Sequence, residues 1–594
     1  MKRQVQHWIM LALVSTWASS SQAEDNTTTT FSSGGSTNLG GALTIGSTGT
    51  NNTLLISNGS SVTNTLGKIG DGVGASNNYA TVTGSGSSWF NNNVGGYSLY
   101  VGKSGSFNTL VISNGALLNG GGAVTHIGDA AASVGNSVTV TGNGSVWTNV
   151  NVVRVGGEFG SKTNRLTISN GGKVQVGTIE LGTYGAGKAN LLEILNGGKL
   201  LTAEGTLANV AGSSGHQVIV SGTASSWTNI GNLGIRIGND GTANSLIVTN
   251  GGKVFNSANS TGFSYLGFNA TASNNFLRVT GAGSLFEDQF GLTVGNSGSS
   301  NALLIASGGT VRVAANTAAQ YGLIIGANSG SANNLVQIDG GNLNATNNTT
   351  GNQYVDVRRG TLRLNSGTID TERLFATNGA SSVVEFNGGT LVTRGTTVSN
   401  GSALVVGNGT SAATLRLKGG THSFADGLTV STGARLEGNG TVQGNASVDG
   451  TLAPGESPGQ VFIVGNLSLS STATYEVQLN GTTPGTLYDQ TDVTGGVSLG
   501  NSTLSLSLGF SPVTSNQFTI INNDLVDAVS GTFNGLPEGS SVFVGGINEF
   551  KISYVGGTGN DVVLTFLVPE PNSACLLGIG GLVLLQRRRK RAAE

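Results

Sequence analysis

The sequence predicts an all-β chain wound as a parallel β-helix, or solenoid, closed by a β-rich C-terminal cap. Three observations predict it. A unit of the form Asn-x-Leu-x-Ile-Ser-Asn-Gly returns as Leu54-Leu55-Ile56-Ser57-Asn58-Gly59, Leu110-Val111-Ile112-Ser113-Asn114-Gly115 and Leu166-Thr167-Ile168-Ser169-Asn170-Gly171, with looser copies at 192–196 and 246–250. A second unit, Val-x-Val-Thr-Gly-x-Gly-Ser-x-Trp with some variation, alternates with it at 82–89, 138–147, 218–227 and, with Phe286 replacing Trp, at 277–286. The composition has 98 Gly in 594 residues, only 7 Pro, 10% charged residues and a formal charge of −2. High Gly with low Pro and no Gly-X-Y period argues against collagen, and 37% hydrophobic residues is too many for simple disorder. The near-neutral balance offers no electrostatic footprint for nucleic acid or anionic lipid.

The repeat sets the architecture. Asn58, Asn114 and Asn170 are evenly spaced and the two units alternate between them, so one turn takes roughly 25–30 residues. Each piece is a short strand of period-2 alternation, ended by Asn-Gly or Gly-Gly, residues that accept positive φ and turn the chain sharply. Strands this short bury no face alone. Stacked turn on turn, each gains two neighbours and adds to a continuous interior row of Val, Ile and Leu. An antiparallel array of hairpins is the rival, since Asn-Gly also suits hairpin turns. The long period and alternating units favour the solenoid. Roughly 15 turns would fit between Asn38 and about Gly440, a rod on the order of 70 Å long. Trp89, Trp147, Trp227 and Phe286 are expected to fill a repeated interior slot rather than form an exposed stack for sugar rings.

In chain order, residues 1–23 read as a secretory signal peptide. Lys2 and Arg3 open it, an apolar stretch follows at 8–18, and Ser21-Gln22-Ala23 presents small residues to a signal peptidase, with cleavage after Ala23. No Cys lies near that point, and the chain's one cysteine is Cys575 in the tail. Processing at both ends would leave a mature chain without disulfides or thiolate metal sites. Residues 24–440 form the solenoid region. After about Leu335 the unit shortens, as in Leu362-Arg363-Leu364-Asn365-Ser366-Gly367-Thr368, Val384-Glu385-Phe386-Asn387-Gly388-Gly389-Thr390-Leu391 and Leu415-Arg416-Leu417-Lys418-Gly419-Gly420-Thr421. These resemble autotransporter-associated β-strand repeats. Leu452-Ala453-Pro454-Gly455-Glu456-Ser457-Pro458-Gly459, Tyr475-Glu476-Val477-Gln478-Leu479-Asn480-Gly481 and Tyr488-Asp489-Gln490 follow. That stretch resembles the distal passenger of autotransporter-type surface proteins, which the resemblance would export through a C-terminal barrel. Too few residues follow Leu564 for such a barrel. Residues 441–566 are read as terminal turns and a cap over the open sheet edge.

Residues 567–594 have three parts. Val568-Pro569-Glu570-Pro571 lacks amide donors at two positions and stays extended. An apolar run at 574–585 is shorter than the roughly 20 residues of a comfortable span. Arg587-Arg588-Arg589-Lys590-Arg591 would stay cytoplasmic. This order resembles the PEP-CTERM sorting tail. The resemblance implies recognition by an exosortase-like membrane enzyme, cleavage near Pro569, Glu570 and Pro571, and transient membrane association through the tail. A plain tail anchor is the bland alternative.

The search for chemistry returns little. His126, His216 and His422 are far apart and show no flanking Cys or acidic motif. Asp71 and Asp129 hold matching Ile-Gly-Asp positions and should share a column, where turn capping is the favoured role. Asp356 with Arg358 and Arg359 reads as a solvated edge. Gly556-Gly557-Thr558-Gly559-Asn560-Asp561-Val562-Val563-Leu564 fits the calcium-binding β-roll nonapeptide, making Asp561 a calcium candidate. One copy supplies half a cage, so a Gly-rich turn into a strand is favoured. The sequence thus points to a non-enzymatic, cofactor-free structural or adhesive protein of the cell surface, outer envelope or extracellular matrix. Extracellular polysaccharide and neighbouring cells are candidate partners; nucleic acid is not. The alternative is a carbohydrate-active β-helix enzyme or polysaccharide-binding protein.

Overall fold

The computed structural model describes residues 25–257, 262–313, 322–347, 351–456, 458–524 and 526–567. The signal region, including Ala23, and the tail from residue 568 on, including Pro569, Glu570, Pro571 and the 587–591 basic cluster, lie outside the described residues. The fold is all-β, a parallel β-solenoid of about 18 turns. The chain divides into two compact units, residues 1–402 and 403–594.

In the first unit each turn lays down three strands, one in each of three parallel sheets. Thr109–Ser113, Leu117–Asn119 and Val124–Ile127 form one turn. They pair in parallel with Tyr79–Thr83, Ser88–Asn91 and Tyr97–Val101 of the turn before. On the other side they pair with Ser137–Thr141 and the two halves of Val146–Val155. The hairpin array is thereby excluded for this unit's paired strands. Register fixes which side chains face in. Val62, Trp89, Leu118, Trp147 and Val174 stand directly above one another, all fully buried.

Turn chemistry follows the sequence expectation. Asn58, Asn114, Asn170, Asn196 and Asn250 take φ of 50–54°, and the glycine after each is also at positive φ. Two successive left-handed residues bend the chain sharply from one sheet into the next, and Asn tolerates that conformation better than other side-chain-bearing residues. Paired residues are 28 apart at Thr109 and Ser137 but 22 apart at Arg363 and Glu385. Of the six residues lost, the corner between the first two sheets gives up one, the inward Leu110 and Leu118 being eight apart and Leu362 and Ile369 seven, and the other two corners give up the rest; Asn334–Ala345 and Gly360–Thr371 run through the first two sheets without a break.

An internal line of amides runs through the unit, at the corner leading into the first sheet. The backbone N–H and side-chain amide of Asn52 both donate to Asn78 Oδ1 at 2.9 Å. Asn78 donates likewise to Asn108, Asn108 to Asn136, Asn136 to Asn164, and Asn164 to Asn190. After His216 the line resumes from Asn244 through Asn275 and Asn301 to Asn334. Every one of these side chains is buried. Corner N–H groups that no strand can satisfy are thus paired inside the protein.

In the second unit the parallel winding continues past residue 440. Ala413–Phe424 pairs with Ala434–Gln443, Thr474–Leu479 with Thr503–Leu508, and Gln490–Val493 with Gln517–Asn523. The last pairings are antiparallel: Asp561–Leu567 lies between Gln517–Asn523 and Asn548–Gly556. Phe518, Phe550 and Phe566 meet edge to face at 5.9 and 5.3 Å beneath these strands. They supply the apolar core that a cap of short strands requires.

Candidate functional site

The described residues carry two clusters of charged side chains with buried members. The first lies on the outer face of the third sheet in the first unit. Register places Lys68, Tyr100, His126, Arg154 and Glu180 in one outward row on successive turns. His126 is nevertheless fully buried. Tyr97 and Tyr100 press ring edges against it at 5.1 and 5.3 Å, and its Nδ1 lies 2.7 Å from Asp129 Oδ1. Arg154 donates to Glu158 and to Glu180, each at 2.9 Å, and its guanidinium covers Tyr184 at 5.1 Å. The Tyr97 hydroxyl donates to Glu158 at 3.0 Å. Burial alone would raise the Asp129 pKa; the hydrogen bond and charge of His126 and the Glu158 backbone N–H outweigh it and hold the carboxyl below its ordinary range. Burial, then Glu158, pushes the Tyr97 hydroxyl up.

The second cluster lies in the second unit and forms a cleft of about 420 Å³. The row Arg416, Glu437, Ala453 crosses the outer face of consecutive turns. The short Ala453 interrupts a row of long side chains, and the Pro454-Gly455-Glu456 bend leaves the space open. Arg416, Arg435, Glu437, Glu456, Glu476 and Asp489 line it. Glu437 accepts from Arg416 at 2.6 Å and from Arg435 at 2.5 Å, and Arg435 reaches Glu476 at 2.7 Å. Burial would raise Glu437, but the two guanidinium hydrogen bonds prevail and lower it. Asp489 is almost fully buried and accepts the N–H groups of Gly459 and Gln478, each at 2.7 Å. Burial raises its pKa to about 6. Two carboxyls in one cleft are thus driven in opposite directions.

The other sequence candidates are dispersed. Asp71 and Asp129 do share a column, with Lys103 between them. Asp71 pairs with Lys68 at 2.9 Å and Lys103 at 3.5 Å, while Asp129 accepts the backbone N–H of Glu158 at 3.1 Å. His216 sits in the amide line, not on the outer row of His126, and His422 lies 3.0 Å from the Gly419 carbonyl. Asp356 pairs with the partly exposed Arg358 at 2.7 Å. The nonapeptide around Asp561 is the connection of an antiparallel hairpin. Asp561 Oδ1 accepts the Asn523 N–H and Oδ2 the Thr558 N–H, both at 2.9 Å, so both oxygens cap backbone. Among the described residues no group of three or more His, Cys, Asp or Glu is placed to hold a metal ion, and no helix is long and apolar enough to cross a membrane.

Trp89, Trp147, Trp227 and Phe286 are fully buried. They share one interior row with aliphatic residues, Leu118 between the first two, Val174 and Leu200 before Trp227, and Val254 before Phe286. A Cβ on Gly205 would lie 2.2 Å from the Trp227 indole, and one on Gly67 would lie 2.8 Å from that of Trp89. Glycine one turn before Trp89 and Trp227 makes room for those two indoles, whereas Thr125 holds that position before Trp147. Sequence reasoning missed the charged cleft because its members sit on separate turns. It also missed His126 with Asp129, although their three-residue spacing across a turn was visible. The chain matches no protein-family model and shows no significant match among curated proteins.

Proposed function

We propose that the protein is an exported, surface-sorted structural or adhesive β-solenoid, cut after Ala23 by signal peptidase and near Pro569, Glu570 and Pro571 by an exosortase-like enzyme. The observation that carries the reading is the way this fold uses its polar residues. Asparagine amides are spent on one another along the interior, and several strand charges are spent on partners one turn away, as in Arg154 with Glu180, Arg165 with Glu193, Arg312 with Glu287 and Arg416 with Glu437. Such an economy suits a durable spacer with a neutral polar surface. The terminal motifs agree with it, since they match signals for export and surface sorting. Mass spectrometry of the mature termini from native cells tests the proposal. A chain ending close to Pro571 is expected; residues beyond Pro571 retained on mature protein would overturn the sorting reading.

The cleft around Glu437 and Asp489 favours a second reading, a carbohydrate-active or polysaccharide-binding protein. Carboxyls of opposed pKa in one polar cleft are a recognised arrangement for acid–base work on glycans. A turnover screen of the native protein against bacterial and algal polysaccharides separates the two readings. Turnover lost in Glu437→Gln would establish the enzyme and sink the structural one.

A further inference from the structure

The first described turn leaves its outer strand edge unpaired among the described residues. Thr28–Phe31, Ser36–Asn38 and Leu43–Ile45 each pair with one neighbour, on the following turn. The Thr27, Gly35 and Ile45 carbonyls accept from that turn, and the Phe31 carbonyl does so too. In a parallel strand, alternate residues direct N–H and C=O to opposite sides. Thr28, Thr30, Ser36, Asn38 and Thr44 therefore aim their backbone groups away from the solenoid. Open edges are normally guarded by charge or proline. Here no charged residue and no proline occurs between Asp25 and Lys68. The edge also exposes core: Phe31, at an inward position paired with the fully buried Ile56, is only half-buried.

We propose that this edge pairs with the same edge of a second copy, giving a two-fold, head-to-head dimer. Two solenoid ends brought face to face run in opposite senses, so all three strands meet antiparallel, and a two-fold contact closes on itself. Continued stacking in one sense fits poorly. Each amide in the interior line presents an oxygen to the preceding turn, whereas Thr27 occupies that place and spends both its N–H and hydroxyl on Asn52, at 3.0 and 2.7 Å. The last described strands pair antiparallel, so they present no parallel triangle as a mate. A second copy supplies three uncharged strands at matching spacing.

The proposal concerns the chain starting after Ala23 and so rests on the export reading. The test uses protein recovered from exporting cells, with its N-terminus established by mass spectrometry. Light scattering should give twice the chain mass at tens of micromolar, and the amides of Thr28, Thr30, Ser36 and Asn38 should be protected from hydrogen exchange. Thr30→Asp, which places like charges across the two-fold, should return the monomer with an unchanged far-ultraviolet spectrum and release those amides. Thr28→Pro, which removes an edge donor, should do the same. A monomer whose N-terminus is correctly cut would overturn the dimer and leave export standing. A dimer with freely exchanging edge amides, or one indifferent to both substitutions, would also overturn it, as would open-ended filaments. Retention of residues 1–23 would overturn the export reading and, with it, the exposed edge.

Discussion

His216 is the titratable member of the amide line. Its Nδ1 accepts the Asn190 N–H at 3.2 Å. Its Nε2 lies 2.8 Å from Ser213 Oγ, whose proton goes to the Gly182 carbonyl. The ring is therefore neutral, with its hydrogen on Nε2. Burial lowers its pKa to about 4, against about 6.5 when unfolded. Between those values the unfolded chain binds the proton and the folded one does not. Stability around this turn should therefore fall as pH drops from about 6.5 to about 4, by about 3 kcal/mol in all. His216→Asn should flatten that dependence, read by hydrogen exchange at residues 190–245; an unchanged slope would refute the assignment. Gly205 gives a second residue-scale test. Gly205→Ala drives a methyl into the Trp227 indole and should cost about 1–3 kcal/mol by overpacking, visible as a lower melting temperature.

At the scale of the element, the amide line and the strands beside it are one device. Asn136 shows why. Its Oδ1 accepts the Asn108 N–H at 2.9 Å and the Asn108 amide at 3.0 Å, and its Nδ2 donates to Ser133 at 2.8 Å. Asn136→Ala would strand two buried donors on the preceding turn, at about 1–3 kcal/mol for each unsatisfied group. In a stacked repeat the loss is local, because each turn contacts its neighbours. Faster exchange is expected at turns around residues 108, 136 and 164, with distant turns unaffected; uniform acceleration would show a global effect instead. A shorter polar line at the corner between the second and third sheets receives two of the tryptophans, Trp89 and Trp227, while Trp147 Nε1 has no hydrogen-bond partner among the described residues. Trp227 Nε1 donates to Thr202 at 3.0 Å, and Asn229 and Asn256 lead on to Asp288. The hairpin ending in Asp561 yields a further expectation. Its carboxylate already caps two N–H groups, so calcium should leave the melting temperature unchanged, and a clear rise would mean that the ion displaces those bonds.

At the scale of the whole molecule, the terminal motifs and the solenoid address different questions. On the proposed reading the motifs direct processing and destination, while the solenoid presents surfaces. The strand periodicity, the turn length and the Asn-Gly corners were legible in the sequence, because each is set by local backbone preference and repeats often enough to be seen. Burial of Trp89, Trp147, Trp227 and Phe286 was legible for the same reason. The first Asn of the repeated unit was equally visible, but its role was not: an Asn before a strand reads as a turn former until the next turn's Asn is stacked against it. The cleft was hidden more thoroughly. Arg416, Glu437 and Glu476 come together only through parallel register, and Ala453 matters only as the gap between longer neighbours.

The sequence by itself determined an all-β chain, the length of its turn, its near-neutral surface and its corner residues, since these depend on composition and on residues close along the chain. Only the tertiary structure decided that two kinds of asparagine exist, one turning the chain and one stitching turns together. It also decided that His126 is covered on an outward row, that the Asp561 carboxylate is occupied by backbone, and that the first described turn has an edge unpaired among the described residues. These depend on residues brought together from far apart in the chain, 26 to 33 positions along the asparagine line and 38 between Asn523 and Asp561, and local patterns do not encode that register.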